Sequence, residues 1–233
     1  MAAADPFWAL AGLDGLAARA LVLADPGGLP GRWADRLVAD PHPLIHADDG
    51  GPAAANLAAT LESGHGGDIC LAILWLEYFR RQSIAAEAVD LPGRMLVRLT
   101  GERRAILDPC QQGRELDPPD LRVLAAGFGG ILPGPGQLAA LSDDQVLVRL
   151  QGQLKMRLLK AGDVAAALLA VEGALRVDPD QAKLWRESGL MRLRLGDLAG
   201  AVAALEQFVT RTDNGQARGR ASQLLAQIRV RLP

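Results

Sequence analysis

Two kinds of hydrophobic spacing alternate along this chain, and each predicts a different element. In ICLAILWLEYFRR, residues 69–81, apolar side chains recur every three to four positions behind Asp68. This predicts a buried helix, capped by Asp68 and ending near Gln82-Ser83. Three short runs follow, EAVDL, RMLVRL and RRAILD, in which apolar and polar residues alternate with period two and predict strands. The last two flank Thr100-Gly101-Glu102 and read as an antiparallel hairpin. A turn centred on Gly101 sets Arg94 opposite Asp108 and places Met95, Val97, Leu99, Ala105 and Leu107 together on a core face. Upstream, FWALAGLDGLAARALVLA, ADRLVA and PAAANLAATLE read as helical pieces interrupted by Pro-Gly turns, with an arrangement the pattern leaves open.

The second half repeats itself. Residues 148–181 laid over 182–215 without a gap bring Gly162-Asp163 onto Gly196-Asp197, Ala167 onto Ala201 and Leu168 onto Val202. The period is 34, and Pro179, Trp185 and Gly189 fall where a tetratricopeptide helix pair expects them. LVRLQGQLKMRLLKAG and KLWRESGLMRLRLG read as first helices ending at Gly, while DVAAALLAVEGALRV and DLAGAVAALEQFV begin at an Asp cap. Two pairs alone leave an apolar end exposed, so QARGRASQLLAQIRVRL is expected to close the stack with its basic residues outward. Between the halves, GFGGILPGPGQL is followed by the helix start Ser142-Asp143-Asp144. The expected domains are therefore 1–143 and 144–233. The glycines do not form a phosphate loop, because no Lys-Ser/Thr pair follows them.

Composition narrows the function classes. The 233 residues are 49% apolar and 22% charged, with a net charge of −2, enough for a hydrophobic core without staples and without the basic excess of a nucleic-acid binder. That balance conceals an asymmetry: residues 1–143 carry 11 basic and 18 acidic side chains, residues 144–233 carry 14 and 9. Cys70 and Cys110 are too few for a disulfide framework or a cysteine zinc site, and a reducing, cytoplasmic address is expected. Asp5 stands where a signal peptide carries positive charge, and every apolar stretch is broken well before membrane-spanning length, so neither export nor a membrane span is expected. No metal or cofactor is implied.

Candidate chemistry centres on Cys70, in the first turn of the predicted helix, where amide dipoles favour a thiolate. The bland reading is a small buried apolar residue. Nucleophilic catalysis also needs a base, usually His, held by a third group, and here the chain order is Cys70, a strand, then Asp108 on the next strand. At this point GGDICLAILWLEYFRRQSIAAEAVDLPGRMLVR, AILDPCQQG and the repeats with RESGLM resemble the bacterial SirB-type family, from about Leu57 to Leu232. That family joins a transglutaminase-like domain to tetratricopeptide repeats. The resemblance implies an α+β fold: a helix-rich, transglutaminase- or papain-like domain with a small antiparallel sheet, followed by an all-α repeat module.

The chain departs from that pattern at the site. Where the family reads Leu-Pro-Gly-His, this sequence has Leu91-Pro92-Gly93-Arg94, and where the family has Ser it has Cys70. Arg stays protonated and has no acceptor, so it cannot take a proton from a thiol. The expected function is a non-catalytic, protein- or peptide-binding scaffold with a degenerate triad, Cys70, Arg94 and Asp108. A thiol peptidase or acyl transferase using Cys70 with His65 is the alternative, and an assembly role in which the repeats are consumed in packing is a further rival. Cys110 is a candidate redox partner for Cys70. His42 and His46 flank Pro43 and read as loop residues rather than a helical metal pair. Arg149, Arg157, Arg186, Arg192 and Arg194 are candidates for one groove that takes a carboxylate-bearing peptide, against a solvated face as the plainer reading.

Overall fold

The computed structural model describes residues 16–24, 44–47, 49–91, 93–129 and 138–231. The expected helical pieces around residues 7–15 and 34–39, and His42, lie outside them. The chain divides into two compact units, residues 1–150 and 151–233, a division inside one long helix that the sequence reading starts at the domain boundary.

In the first unit, α1 (Leu16–Ala24) packs with α2 (Leu57–Ser63) and α3 (Asp68–Arg81). The stretch PAAANLAATLE is not one helix. Pro52–Ala55 form a 3-10 turn, and Asn56 then caps α2 by accepting from the Ala59 N–H at 3.0 Å. Two-residue strands β1 (Ile45–His46) and β2 (His65–Gly66) pair in parallel beside it. Helix α3 is buried along almost its whole circumference from Ile69 to Leu76, the signature of a central helix. Its cap differs from expectation. Gly67 is the N-cap, and Asp68 is the first helical residue, its carboxylate accepting from the Met95 N–H at 2.8 Å. Asp68 thereby ties the helix start to the sheet.

That sheet contains β3 (Ala86–Leu91), β4 (Arg94–Thr100), β5 (Arg104–Asp108), β6 (Arg114–Glu115) and β7 (Ala140–Leu141), all antiparallel, in the order β6-β5-β4-β3-β7. The hairpin register corrects the sequence reading. Thr100 pairs with Arg104 and Val97 with Leu107, so the turn is centred on Glu102 and the strands slip by two residues. Arg94 is consequently not the cross-strand partner of Asp108. Because side chains alternate with period two, a slip of two leaves every face assignment intact. Met95, Val97, Leu99, Ala105 and Leu107 are all buried.

Both sheet faces are covered. Helix α3 packs on β3 and β4. On the other face Val89, Leu91 and Leu96 meet Leu116, Leu121 and Ala125, the last two from α4 (Pro118–Gly127). The sequence reading missed α4, although Asp117-Pro118-Pro119-Asp120 announces it. Asp117 and Asp120 exchange a reciprocal capping box, and proline at the first helical position gives up an N–H that lacks an intrahelical partner anyway.

The repeat region consists of α5 (Asp143–Lys160), α6 (Val164–Val177), α7 (Ala182–Arg194), α8 (Leu198–Arg211) and α9 (Gly215–Arg231). Asp163 and Asp197 cap α6 and α8, each accepting an N–H three residues on at 2.9 Å. Small residues set the helix spacing: Ala167 and Ala201 are fully buried, and a Cβ at Gly189 would lie 2.7 Å from Leu205 Cγ. Helix α9 buries Ala221, Leu225 and Ile228 and leaves Arg220, Arg229 and Arg231 exposed, closing the apolar end of the stack.

Candidate functional site

The β3–β4 turn and the end of β5 converge around Arg94 and Asp108, two of the three residues that the sequence reading groups. The β3–β4 turn passes through Gly93 at φ +80°, where a Cβ would lie 2.3 Å from the Phe128 ring, so only glycine fits. This turn presents Arg94 as the first residue of β4. Strand β5 ends in Asp108, which is fully buried and caps the 3-10 turn Pro109–Gln111. Its Oδ1 accepts from the Cys110 N–H at 2.9 Å and its Oδ2 from Gln111 Nε2 at 2.8 Å.

Arg94 and Asp108 do not form the two-pronged ion pair expected from the shorter turn. Arg94 Nη1 stands 3.9 Å from Asp108 Oδ1, a charge contact beyond hydrogen-bond length. Both Nε and Nη1 of Arg94 are buried without a hydrogen-bond partner, and the guanidinium lies 5.7 Å from the centroid of the Phe128 ring. A ring face at that distance attracts a cation and offsets part of its lost hydration. Burial alone would lower the Arg94 pKa, but Cys110, Asp108 and Asp68 together raise it above the ordinary arginine value. Arg94 is a permanent cation among carboxylates.

The thiol beside Arg94 is Cys110, which the sequence reading treated only as a possible redox companion. Burial pushes its pKa up to about 12; the Arg94 charge and hydrogen bond oppose that shift, while Asp108 and Asp68 add to it. Cys110 is therefore a neutral thiol at physiological pH. Cys70 occupies the first turn of α3 as expected but has no solvent exposure. Neither cysteine is in a disulfide.

Of the histidines, His46 and His65 are among the described residues. His65 is exposed on β2 with Nδ1 2.8 Å from its neighbour Ser63 O. His46 sits one strand over on β1, which packs against the turn carrying Cys110. The groups that shift the titration of Arg94 and Cys110 are each other, Asp108 and Asp68. Among the described residues no group of three or more His, Cys, Asp and Glu gathers to hold a metal ion. A groove of about 830 Å³ opens at the opposite end of β4 and β5, between Arg98, Arg104, Ile106 and Leu121, and does not include the cluster.

The five arginines of the expected repeat groove are split by their partners. Arg149 pairs with Asp90 at 2.6 Å, in the first unit. Arg192 bridges Glu172 and Asp197, and Arg157 is half-buried. Arg186 and Arg194 remain exposed on α7.

The comparisons agree with this architecture. Residues 47–152 match the transglutaminase-like superfamily, and residues 154–228 match a tetratricopeptide repeat family. A UPF0162 protein of Xylella fastidiosa (strain Temecula1) is 30% identical over 164 residues, 68% of this chain and 58% of the relative. A UPF0162 protein of Pseudomonas aeruginosa is 31% identical over 134 residues, 55% of this chain and 47% of the relative. The chain thus spans about half the length of these curated relatives. Among the described residues no helix is long and apolar enough to cross a membrane. The chain joins a transglutaminase-like domain to a tetratricopeptide-repeat region.

Proposed function

We propose that this protein is a non-catalytic scaffold of the SirB type, acting in the cytoplasm, in which a transglutaminase-like domain without a functional triad is joined to repeats that bind protein or peptide. The observation that carries this reading is the identity of the group at the centre of the cluster. Arg94 stands beside Asp108 and Cys110, in the place where thiol chemistry needs a neutral imidazole. A guanidinium neither accepts the thiol proton nor returns it to a leaving group. Two further features support it: Cys70 is sealed from solvent, and burial pushes the Cys110 thiol pKa up to about 12. Repeats of this kind serve as interaction surfaces because their stacked helices present a long face to a partner.

Thiol reactivity tests the reading directly. At pH 7.5 a thiol with pKa near 12 has on the order of a thousandfold less thiolate than an ordinary cysteine. Iodoacetamide labelling of both cysteines in the native protein is expected to be at least a hundredfold slower than in denaturant, read per site by mass spectrometry. Fast native labelling of Cys70 or Cys110, together with amide hydrolysis or acyl transfer that disappears in the matching Cys→Ala variant, overturns the proposal.

A further inference from the structure

The groove at the hairpin end of β4 and β5 has the make-up of a ligand site and no part in the Arg94 cluster. Because side chains alternate across the sheet, Arg98 and Thr100 of β4 and Arg104 and Ile106 of β5 stand on the face that α4 covers. Helix α4 seals Leu91 and Leu96 with Leu121 and Ala125, while the hairpin end of that face stays open. The opening is about 830 Å³, a size that holds small ligands. Its floor is apolar. Ile106 is only partly buried and packs against the cluster that contains Leu116 and Leu121, and Pro118 lines the same groove.

The charged groups around this floor differ in whether the chain already answers them. Glu115 is held by Arg103 at 2.6 Å, Asp120 by Arg114 at 2.7 Å, and Asp117 caps α4. Arg98 pairs with Glu87 and donates to the Leu138 carbonyl. Every carboxylate that lines the groove is thus engaged. Arg104 is exposed, and among the described residues its guanidinium makes no ion pair or hydrogen bond; the same is true of the Thr100 hydroxyl. These two residues are direct cross-strand partners on one face, which sets their Cβ atoms about 5 Å apart. A fixed cation and a hydroxyl, both unanswered, therefore stand together at one end of an apolar floor.

That combination selects the ligand. A nucleotide base is held by stacking on an aromatic ring, and none lines the groove. An extended peptide needs partners for its amides. At Ile106 and Leu107, however, β5 is already paired with β4 on one side and with Glu115 and Leu116 on the other, so the floor offers no open strand edge. An aliphatic chain has no amides to satisfy and gains from covering Ile106. We propose that this groove binds a medium-chain aliphatic carboxylate, its tail over Ile106, Leu116 and Leu121 and its head held by Arg104 and Thr100. Arginine grips a carboxylate through two parallel hydrogen bonds, and the threonine hydroxyl adds a third donor. From the Thr100–Arg104 rung past Ile106 to Leu121 the floor is on the order of 10 Å long, which suits a chain of about eight carbons. The site is separate from Arg94, so its failure leaves the non-catalytic reading untouched.

The test is calorimetric titration of the full chain with hexanoate, octanoate and decanoate below their micelle thresholds, with octanol and octylamine as controls. Affinity is expected to rise about threefold per methylene from hexanoate to octanoate and to level off beyond it, as the tail runs out of floor. Octanol is expected to bind about tenfold more weakly than octanoate, and octylamine not at all. R104E is expected to abolish octanoate binding, R104Q to weaken it about tenfold and T100V about threefold. Both positions are exposed, and circular dichroism verifies the fold of each variant. In methyl NMR, octanoate should shift the Ile106 resonances. No binding at millimolar octanoate, octanol binding as tightly as octanoate, no effect of R104E, or an unmoved Ile106 signal overturns the proposal. So does tighter binding of a tripeptide ending in a free leucine carboxylate, which would make a chain end the occupant.

Discussion

The two units differ in how deeply they bury charge. In the repeats Arg192 links Glu172 to Asp197, and Arg229 meets Glu206, with each of these partners at least a quarter exposed, while Lys155 and Glu187 pair at 12% and 20% exposure. Pairs of that sort add little stability and cost little to keep. The first unit instead draws Arg94, Asp68 and Asp108 into its interior around Cys110. Taking such groups out of water costs several kcal/mol per ion before any attraction is counted, and apolar residues of similar volume are often as stable. A repeat stack can be built from helix caps and alanines. A buried ionic cluster at a strand end, next to the start of a central helix, costs far more to keep and is the feature on which the proposed reading turns.

The largest effect is expected where that frame is cut. Asp108→Ala removes the carboxylate that faces Arg94 and leaves the Cys110 N–H and the Gln111 amide without their acceptor. A loss of about 3–5 kcal/mol is expected in urea unfolding, because the guanidinium stays buried with less compensation. A loss below about 1 kcal/mol would show that the cluster is hydrated and that the contrast between the units is weaker than the burial of Asp108 indicates.

Much of this contrast was legible in the sequence, and the part that was not has identifiable causes. Period and capping revealed the repeats because a helix pair is a local object: Asp163 and Asp197 act on residues three positions away. That Arg94 cannot act as a general base was also legible, since a guanidinium accepts no proton wherever it lies. Its partner was not. The hairpin turn was read one position early, at Gly101 instead of Glu102, and glycine is a strong turn signal that here marks only the first of three loop residues. The slip of two residues kept the faces and lost the pairing. That Cys110 rather than Cys70 meets Arg94 follows from the 3-10 turn after Asp108, which Pro109 initiates and which no periodicity announces.

A smaller effect probes the repeats, where packing takes the place of buried charge. Gly189 on α7 faces Leu205 on α8, and an added methyl would sit 2.7 Å from its Cγ and 3.3 Å from the Ala201 carbonyl oxygen. Leu205 is itself 1% exposed and has little room to yield. Gly189→Ala is expected to cost about 1–3 kcal/mol in the repeat unit through overpacking, despite the better helix propensity of alanine. Unchanged or higher stability would mean that the two helices separate easily, and that small residues do not set their spacing.

The smallest effect concerns Asp197, a carboxylate of the repeats whose titration is shifted by its partners. The Gly200 N–H and then the Arg192 guanidinium hold the Asp197 pKa below the usual carboxylate value. A carboxylate depressed by folding contributes stability that is complete above its unfolded pKa and is lost as pH falls through the folded value. Asp197→Ala is therefore expected to lower stability by about 1 kcal/mol at pH 7, and the gap to wild type should close in acid, below about pH 4. Asp163→Ala removes the same cap one repeat earlier. Because Asp197 is 42% exposed, its link to Arg192 should add no more than about 0.5 kcal/mol to the difference between the two variants. A much larger difference would mean that Arg192 and its two carboxylates act as a cooperative unit, so that the repeats, like the first domain, depend on a charged cluster.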